Sequence, residues 1–231
     1  MRVASITFDD GLWETAKLAV TTGQVLRQRY SFYPVAEWVN GQTPTDHYNL
    51  GLSHGDVEGW KMVAAAGHEV GSHTMTHCRS GTPGFRDGCS RSLEWLRQFG
   101  PAPYTFAFPY DVLGPKPDGF IVARGGEQWG YEPYIDLTKP IPDVVHSINP
   151  VWSGEPIPFD GVFEIIKNIP ADHWLIINLH GVEEGWGPLT KQDFFSLTHY
   201  LSACGILVRP VREIANAFRT GGHDLQQNPL L

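Results

Sequence analysis

The chain has 231 residues, a length typical of a single α/β domain with a large buried core. Its formal net charge is −8 and its 17 lysines and arginines form no runs, which argues against nucleic acid and against an anionic membrane surface as partners. No stretch approaches the ~20 apolar residues of a membrane span, and the three cysteines lack the C-x-x-C spacing of a cysteine zinc site.

Short apolar runs alternate with amphipathic helical patterns along the chain, beginning with a strand over 3–8 and a helix over 15–29. Asp56 is a favourable N-cap for a helix that ends at Gly67. The other predicted strands are 31–35, 68–71, 105–108, 119–123, 174–179 and 206–208, and the other predicted helices are 90–99, 162–168, 191–203 and 211–219. Residues 125–158 are rich in glycine, proline and aromatic residues without a clear period, and we expect a long irregular excursion there.

This alternation predicts an α/β fold with parallel strands, formed by one domain over residues 1–220 and followed by a loose tail over 221–231. A distorted β/α barrel of about seven parallel strands suits a chain of this size. An open, doubly wound parallel sheet is the alternative.

Polar residues follow several of the predicted strands. Asp9-Asp10-Gly11 follows the first strand, His73 and His77 follow the third, and His180 ends the strand over 174–179. Each is unremarkable alone, since a turn, a chance histidine pair or a core histidine would explain it. In parallel α/β folds, however, the carboxyl ends of the strands meet at one mouth. Two carboxylates and two histidines there are typical of a catalytic metal site, with three protein ligands and one position open for water.

These residues carry a family resemblance. Thr7-Phe8-Asp9-Asp10-Gly11 is similar to the first motif of the polysaccharide deacetylase (NodB homology) family, carbohydrate esterase family 4. Residues 67–77 resemble the second motif nearly letter for letter, Phe106-Ala107-Phe108-Pro109-Tyr110 resembles the third, and Leu179-His180 resembles the last. The chain is therefore identified as a member of this family, and the resemblance implies the NodB homology fold.

The resemblance also implies a role for each matching residue. A divalent metal, with zinc favoured and nickel or cobalt as alternatives, would be held by Asp10, His73 and His77. Asp9 would be the general base for attack by a metal-bound water. The backbone N–H of Tyr110 would bind the oxyanion, and His180 would protonate the departing amine.

Two departures from the family pattern stand out. Many members carry an arginine in the third motif that holds the base aspartate, whereas this chain has Ala107, and we expect Arg124 to replace it. An Asp-x-x-Asp-Trp fourth motif is also missing from the sequence, which leaves the residue that orients His180 open. The candidates are His146, Asp136 and Asp143.

The implied function is a hydrolase that removes an acyl group, with N-acetyl favoured, from an acylated carbohydrate. An O-acetyl esterase, a deformylase or another carbon–nitrogen hydrolase are alternatives on the same site, and a catalytically silent carbohydrate-binding relative is an alternative of a different class. Sugar rings are expected to stack on some of the aromatic residues near the mouth, which are Trp129, Tyr131, Trp152 and Trp186. The N-terminus lacks the features of a signal peptide, which predicts a cytoplasmic protein, or an extracytoplasmic one if the chain is a mature form.

Overall fold

The structure, a computed structural model, describes residues 1–126, 132–152, 155–156 and 159–219. The strands are β1 Arg2–Asp10, β2 Ser31–Pro34, β3 Glu69–Val70, β4 Tyr104–Ala107, β5 Phe120–Gly125, β6 Tyr134–Asp136, β7 Val144–His146, β8 Val151–Trp152, β9 Glu155–Pro156, β10 His173–Leu179 and β11 Leu207–Val208. The α-helices are α1 Trp13–Leu26, α2 Ala36–Val39, α3 Val57–Ala65, α4 Phe85–Leu96, α5 Phe159–Lys167, α6 Lys191–Ala203 and α7 Val211–Arg219. Among these described helices, none combines the length and apolar character needed to cross a membrane.

Seven parallel strands follow one another around a ring. One group of four is hydrogen-bonded in the order β3-β2-β1-β10, and a group of three in the order β4-β5-β7. Two single bridges join the groups, one between Ser72 and Phe106 beside β3 and β4, and one between Ile148 and Ile177 beside β7 and β10. These two bridges are the seams of the ring. The predicted α/β class with parallel strands is confirmed.

The central strands are apolar because both of their faces are covered. Eight of the nine residues of β1 and six of the seven residues of β10 are buried. Phe8 of β1 stacks on Phe32 with 5.1 Å between ring centroids and meets Phe194 of α6 edge-on. Burying one such ring contributes roughly 1.5–3 kcal/mol, so a few rings from strand and helix hold β1 at the centre of the fold.

The helix starts follow the capping chemistry of the sequence. Asp56 caps α3, since its carboxylate accepts the Gly59 N–H at 2.7 Å, as predicted. Thr190 caps α6 in the same way through the N–H of Asp193. Such a cap contributes about 1 kcal/mol because it satisfies an N–H that has no partner within the helix.

The excursion over 125–158 is not wholly irregular, which corrects the sequence prediction. It contains β7, a member of the ring, and also β6, which pairs antiparallel with β10. Strands of three residues are too short to show a hydrophobic period, so the pattern missed both. By contrast, the predicted last strand is β11, which pairs with the start of β1 outside the ring order.

Candidate active site

The residues singled out in the sequence converge at the carboxyl ends of the ring strands. A regular strand would point Asp9 and Asp10 to opposite faces. Asp10, however, adopts a left-handed conformation with φ 67°, which breaks the alternation and turns both carboxylates toward the mouth. Both are almost completely buried, with 2% and 4% exposure. Two adjacent buried carboxylates are costly unless cations or hydrogen-bond donors face them.

Asp10, His73 and His77 form a buried group whose ligand atoms all lie within 4.8 Å of one another. Asp10 Oδ1 is 3.5 Å from His73 Nε2 and 3.4 Å from His77 Nε2. A tetrahedral ion with ligand bonds of about 2.1 Å would place its ligands about 3.4 Å apart. The same Asp10 Oδ1 is buried without a hydrogen-bond partner among the described residues. An orphaned anionic oxygen facing two imidazole nitrogens fits a divalent cation.

The protonation of the histidines supports that fit. His73 Nδ1 lies 3.0 Å from the carbonyl oxygen of Ala107. Because a carbonyl oxygen can only accept a hydrogen bond, Nδ1 carries the hydrogen and Nε2 keeps its lone pair toward Asp10. Burial lowers the pKa of His77 to about 4, against the opposing charge of Asp10. Burial opposes ionisation of Asp10, but the histidines facing it and the Asn49 amide hold its pKa at about 2. At neutral pH this leaves Asp10 ionised and His77 neutral, which is the state that metal ligands require.

Arg124 lies where the sequence predicted a substitute for the missing third-motif arginine. It is completely buried in β5, and its Nη2 donates to both carboxylate oxygens of Asp9 at 2.6 and 2.5 Å. Asn178 of β10 adds a further donor to Asp9 Oδ2 at 3.1 Å. Burial opposes the ionisation of Asp9, but the Arg124 charge, together with smaller effects of His73 and His180, outweighs it, and the pKa of Asp9 lies below its ordinary value. Asp9 is therefore an ionised carboxylate held from two strands.

Backbone strain is concentrated at the mouth. Five non-glycine residues there have left-handed conformations, with φ between 53° and 67°, and they are Asp10, Thr74, His77, Tyr110 and Asp111. Such conformations cost of order 1 kcal/mol or more each outside glycine and persist where the surroundings enforce them. Two of the five, Asp10 and His77, belong to the group of Asp10, His73 and His77, which we call the metal-like group because it could hold a metal ion. The fold therefore holds these residues in backbone conformations that an unconstrained chain disfavours.

The ring of Tyr110 packs against His77. The two ring centroids are 4.3 Å apart. The Arg79 guanidinium lies over the Tyr110 ring, with its Cζ 4.4 Å from the ring centroid. The side chain keeps 44% of its surface exposed. Its backbone N–H, proposed from the family resemblance as an oxyanion donor, therefore belongs to a residue that borders the site.

His180 follows β10 at the same mouth and is half-buried against Trp186, with 4.8 Å between ring centroids. Two of its three candidate partners lie elsewhere, which corrects the prediction. Asp136 is opposite His173 at the start of β10 and binds Thr138 and Lys139. Asp143 precedes β7 and pairs with Arg219. Asp136 ends β6, which runs antiparallel to β10, and Asp143 precedes β7, so both lie at the end of the ring away from the mouth. Seven residues of strand separate His173 from His180, about 23 Å. His146 ends β7, and its Nδ1 is 3.4 Å from the Gly126 carbonyl oxygen.

Asp111 is a site carboxylate that the sequence analysis did not identify. Its Oδ1 is 3.6 Å from Arg124 Nη1, so Arg124 lies between two carboxylates, Asp9 and Asp111. Burial raises the pKa of Asp111, although the Arg124 charge opposes the rise. Gly126 packs so closely that an added Cβ would lie 2.3 Å from the Asp111 carboxyl carbon. The position of Asp111 directly after the third-motif tyrosine was the available signal.

Other contacts with the site were also missed. Asn178 is the one amide in the apolar run of β10, which was a usable signal for a buried polar role. Asn49 Nδ2 donates to Asp10 Oδ2 at 3.0 Å, and His54 Nδ1 lies 3.1 Å from the Asp10 carbonyl oxygen. Both come from a polar loop without periodicity, where the sequence contains nothing to separate them from surface residues.

Of the aromatic residues expected to stack on sugar rings, Trp186 is beside His180. Trp129 and Tyr131 lie outside the described residues, and of Trp152 only the backbone is described.

A family model described as polysaccharide deacetylase matches residues 1–114. A search of curated protein sequences found no significant match.

Solved structures with the same fold include a polysaccharide deacetylase from Bacillus cereus, at 16% identity and a TM-score of 0.59, covering 92% of this chain and 93% of that one. A family 4 acetyl xylan esterase from Clostridium thermocellum, in complex with a cobalt ion, has 16% identity and a TM-score of 0.59, covering 93% of this chain and 91% of that one. A carbohydrate esterase family 4 pseudoenzyme from Bacillus anthracis has 13% identity and a TM-score of 0.55, covering 93% of this chain and 65% of that one. At these identities the likeness concerns the fold.

Proposed function

Because the chain belongs to the polysaccharide deacetylase family, we propose that it is a metal-dependent hydrolase that removes an acyl group, with N-acetyl favoured, from a carbohydrate. The observation that carries this proposal is the buried Asp10, His73 and His77 group with the Asp9–Arg124 pair beside it. A binding protein has no need of an ionised base next to a metal-like group, whereas hydrolysis needs both.

Asp10, His73 and His77 would hold the ion. Their donor set of two imidazoles and a carboxylate suits zinc, and it suits nickel and cobalt as well. When bound, the ion supplies Lewis acidity at the acyl carbonyl and increases the acidity of water at the site. Zinc is the ion we propose.

Asp9 would take the proton of the attacking water. Arg124 and Asn178 fix its carboxylate from β5 and β10, so the oxygen that accepts the proton is oriented before substrate arrives. The Arg124 charge keeps Asp9 ionised and also makes it a weaker base. The structure thus favours orientation of the base over its intrinsic strength.

His180 would donate a proton to the departing amine, because an amine leaves poorly until it is protonated. Trp186 packs edge-on against His180 and limits the directions that the imidazole can take. The backbone N–H of Tyr110 would donate to the oxygen that becomes negative during attack, and a preorganised donor of this kind typically contributes 10²–10³-fold in rate.

Two other functions have specific support. The acetyl xylan esterase among the similar structures makes O-acetyl removal the first alternative for the acyl link. The pseudoenzyme among them makes a catalytically silent relative the second. Against the silent reading, the chain keeps Asp9, the three ligand residues and His180.

The first experiment measures the metal. Purified protein is expected to hold about one divalent ion, identified by elemental analysis, and Asp10→Ala and His73→Ala are each expected to lose it. His199→Ala is the matched control, because His199 is exposed on α6 and bonds the Phe195 carbonyl oxygen of its own helix. Full metal retention in both ligand variants would refute the site.

The second experiment measures acyl release from N-acetylglucosamine oligomers, acetylated xylan and free acetylated sugars. N-acetyl substrates are expected to react fastest, and faster turnover of acetylated xylan would favour the esterase alternative. If wild type and Asp9→Asn are equally inert on every substrate while both bind metal, the silent relative is the better description.

A further inference from the structure

The loop between α2 and α3, residues 40–56, contacts the metal-like group from outside, and we call it the clasp loop. It reaches Asp10 twice, through Asn49 Nδ2 at 3.0 Å and through His54 Nδ1 at 3.1 Å. It reaches His77 through Asp46, whose Oδ2 is 3.8 Å from His77 Nδ1. Two of the three ligand residues are therefore approached by one segment of chain.

The Asp46 contact joins two atoms that otherwise have no partner. Asp46 Oδ2 and His77 Nδ1 are both buried, and neither has a hydrogen-bond partner among the described residues. When Nδ1 of His77 carries its proton, it can donate a hydrogen bond to the carboxylate oxygen of Asp46. The separation of 3.8 Å exceeds a hydrogen bond by about 1 Å, a distance that a side-chain rotation covers.

The two histidines of the group differ in this respect. His73 Nδ1 already donates to the Ala107 carbonyl oxygen at 3.0 Å, so its Nε2 is fixed as the ligand atom. Among the described residues, no backbone carbonyl oxygen accepts from Nδ1 of His77. A histidine that binds metal through Nε2 needs an acceptor on Nδ1, because without one the proton can occupy Nε2 and block the ligand atom. Asp46 is the acceptor that the structure offers.

Asp46 and His77 are both held in place by neighbours. The other oxygen of Asp46, Oδ1, accepts from the Asn49 backbone N–H at 3.1 Å and from Asn49 Nδ2 at 2.9 Å. The ring of Trp38 packs against His77 on one side and against His54 on another, each with 5.0 Å between centroids. The carboxylate is thus anchored through Oδ1 while Oδ2 remains directed at the imidazole.

We propose that Asp46 is a positioning residue of the metal site, whose Oδ2 accepts the Nδ1–H of His77 when the ion is bound and so fixes the Nε2 lone pair toward the ion. The proposal rests on the metal site of the proposed function. It extends that site to the clasp loop, since Asn49 connects the same Asp46 carboxylate to Asp10.

Asp46→Asn is the sharpest test, because it keeps the shape of the side chain and replaces the acceptor Oδ2 by an NH2 donor. An amide NH2 facing His77 would favour the unprotonated Nδ1 and move the proton to Nε2, where the ion must bind. Zn²⁺ affinity, measured by competition with a chromophoric chelator, is expected to fall about 10–100-fold. The visible absorption of the Co²⁺-loaded protein is expected to shift, and a role confined to loop stability would leave that spectrum unchanged.

Asp56→Asn is the matched control. It removes one carboxylate from the end of the same loop, and asparagine caps a helix as well as aspartate does. Its Zn²⁺ affinity and Co²⁺ spectrum are expected to equal those of wild type.

Asp46→Ala is the second variant, used if Asp46→Asn fails to fold. It leaves Nδ1 to water and is expected to weaken Zn²⁺ binding less than Asp46→Asn. Wild-type affinity and spectrum in a folded Asp46 variant would overturn the proposal. Failure of wild type itself to bind Zn²⁺ or Co²⁺ would instead refute the metal site of the proposed function, so the two failures are distinguishable.

Discussion

Glu69 and Asp10 are both buried carboxylates, one near the amino ends of the ring strands and one at their carboxyl ends, and their surroundings differ. Glu69 Oε1 accepts from the Thr105 hydroxyl, and its Oε2 accepts from the Ser31 hydroxyl and from the Arg212 N–H at the start of α7. Asp10 Oδ2 accepts from Asn49, while its Oδ1 has no partner among the described residues.

The hydrogen bonds of Glu69 stabilise the fold, whereas Asp10 keeps one oxygen open for a ligand. At the amino end, a carboxylate with a donor on each oxygen ties β2, β4 and α7 together. At the mouth, an unsatisfied buried acceptor costs roughly 1–3 kcal/mol, and left-handed residues add strain beside it. A protein bears that cost where something else completes the bonding, which at this mouth is the proposed ion.

Asp9→Asn is expected to have the largest effect on rate. Asparagine keeps the shape beside Arg124 but cannot accept the proton of water, so kcat/KM is expected to fall ~10²–10⁴-fold. Metal content by elemental analysis is expected to stay at the wild-type level. Parallel loss of metal would mean that Asp9 and Asp10 do not have separate roles.

Arg124→Met is expected to have the largest effect on stability. It leaves Asp9 buried without its cation, and the free energy of unfolding is expected to fall by about 3–5 kcal/mol in denaturant titrations. The pKa of Asp9 rises when the charge is removed, so the acid limb of kcat/KM is expected to move to higher pH. Arg219→Met is the control at the other end, where an exposed pair with Asp143 contributes about 0–1 kcal/mol. Equal losses in both variants would contradict the ranking.

Glu69→Gln sharpens the comparison between the two carboxylates. An NH2 group would face a hydroxyl or an N–H that now donates to Glu69, and we expect a loss of about 1–3 kcal/mol in unfolding free energy with metal affinity unchanged. Asp10→Asn in the metal-free protein is expected to lose less unfolding free energy, because Asp10 Oδ1 already lacks a donor among the described residues. A larger loss from Asp10→Asn would show that the mouth is bonded for stability after all.

The pH dependence of stability gives the most gradual effect, because it is spread over several pH units. His68 accepts the Tyr30 N–H on Nδ1, and burial together with the nearby Arg29 charge lowers its pKa to about 4. Between pH 6.5 and about 4 the unfolded chain binds a proton that the folded chain refuses, so stability falls as pH falls through that window, by up to about 1.4 kcal/mol per pH unit. His68→Gln is expected to flatten the slope in metal-free protein, and an unchanged slope would assign it to other groups.

The sequence was informative where one residue type had one plausible use. The buried first strand, the Asp56 cap and the arrival of Arg124 at Asp9 all followed from local pattern and strand order, and each contact is present in the structure. Parallel strands bring residues distant in the chain to one edge, so motif order alone located the mouth.

What the sequence missed depends on tertiary contacts. β7 is three residues long and shows no period, and Asp46 and Asn49 lie in a polar loop whose path only the folded chain reveals. Two of the three candidate partners of His180, Asp136 and Asp143, lie at the end of the ring away from the mouth. The direction of each strand relative to the mouth, and not the residue type, excludes Asp136 and Asp143 as partners of His180.

The two seams of the ring add a mechanical aspect to the site. The seams divide the ring into two half-shells, β3-β2-β1-β10 and β4-β5-β7. One β-bridge joins the half-shells at each seam. Asp9 belongs to one half-shell and Arg124 to the other, and the bond from His73 to the Ala107 carbonyl spans the same division. The contacts of the candidate site therefore also link the two half-shells, because spreading them would separate Asp9 from Arg124 and His73 from the Ala107 carbonyl.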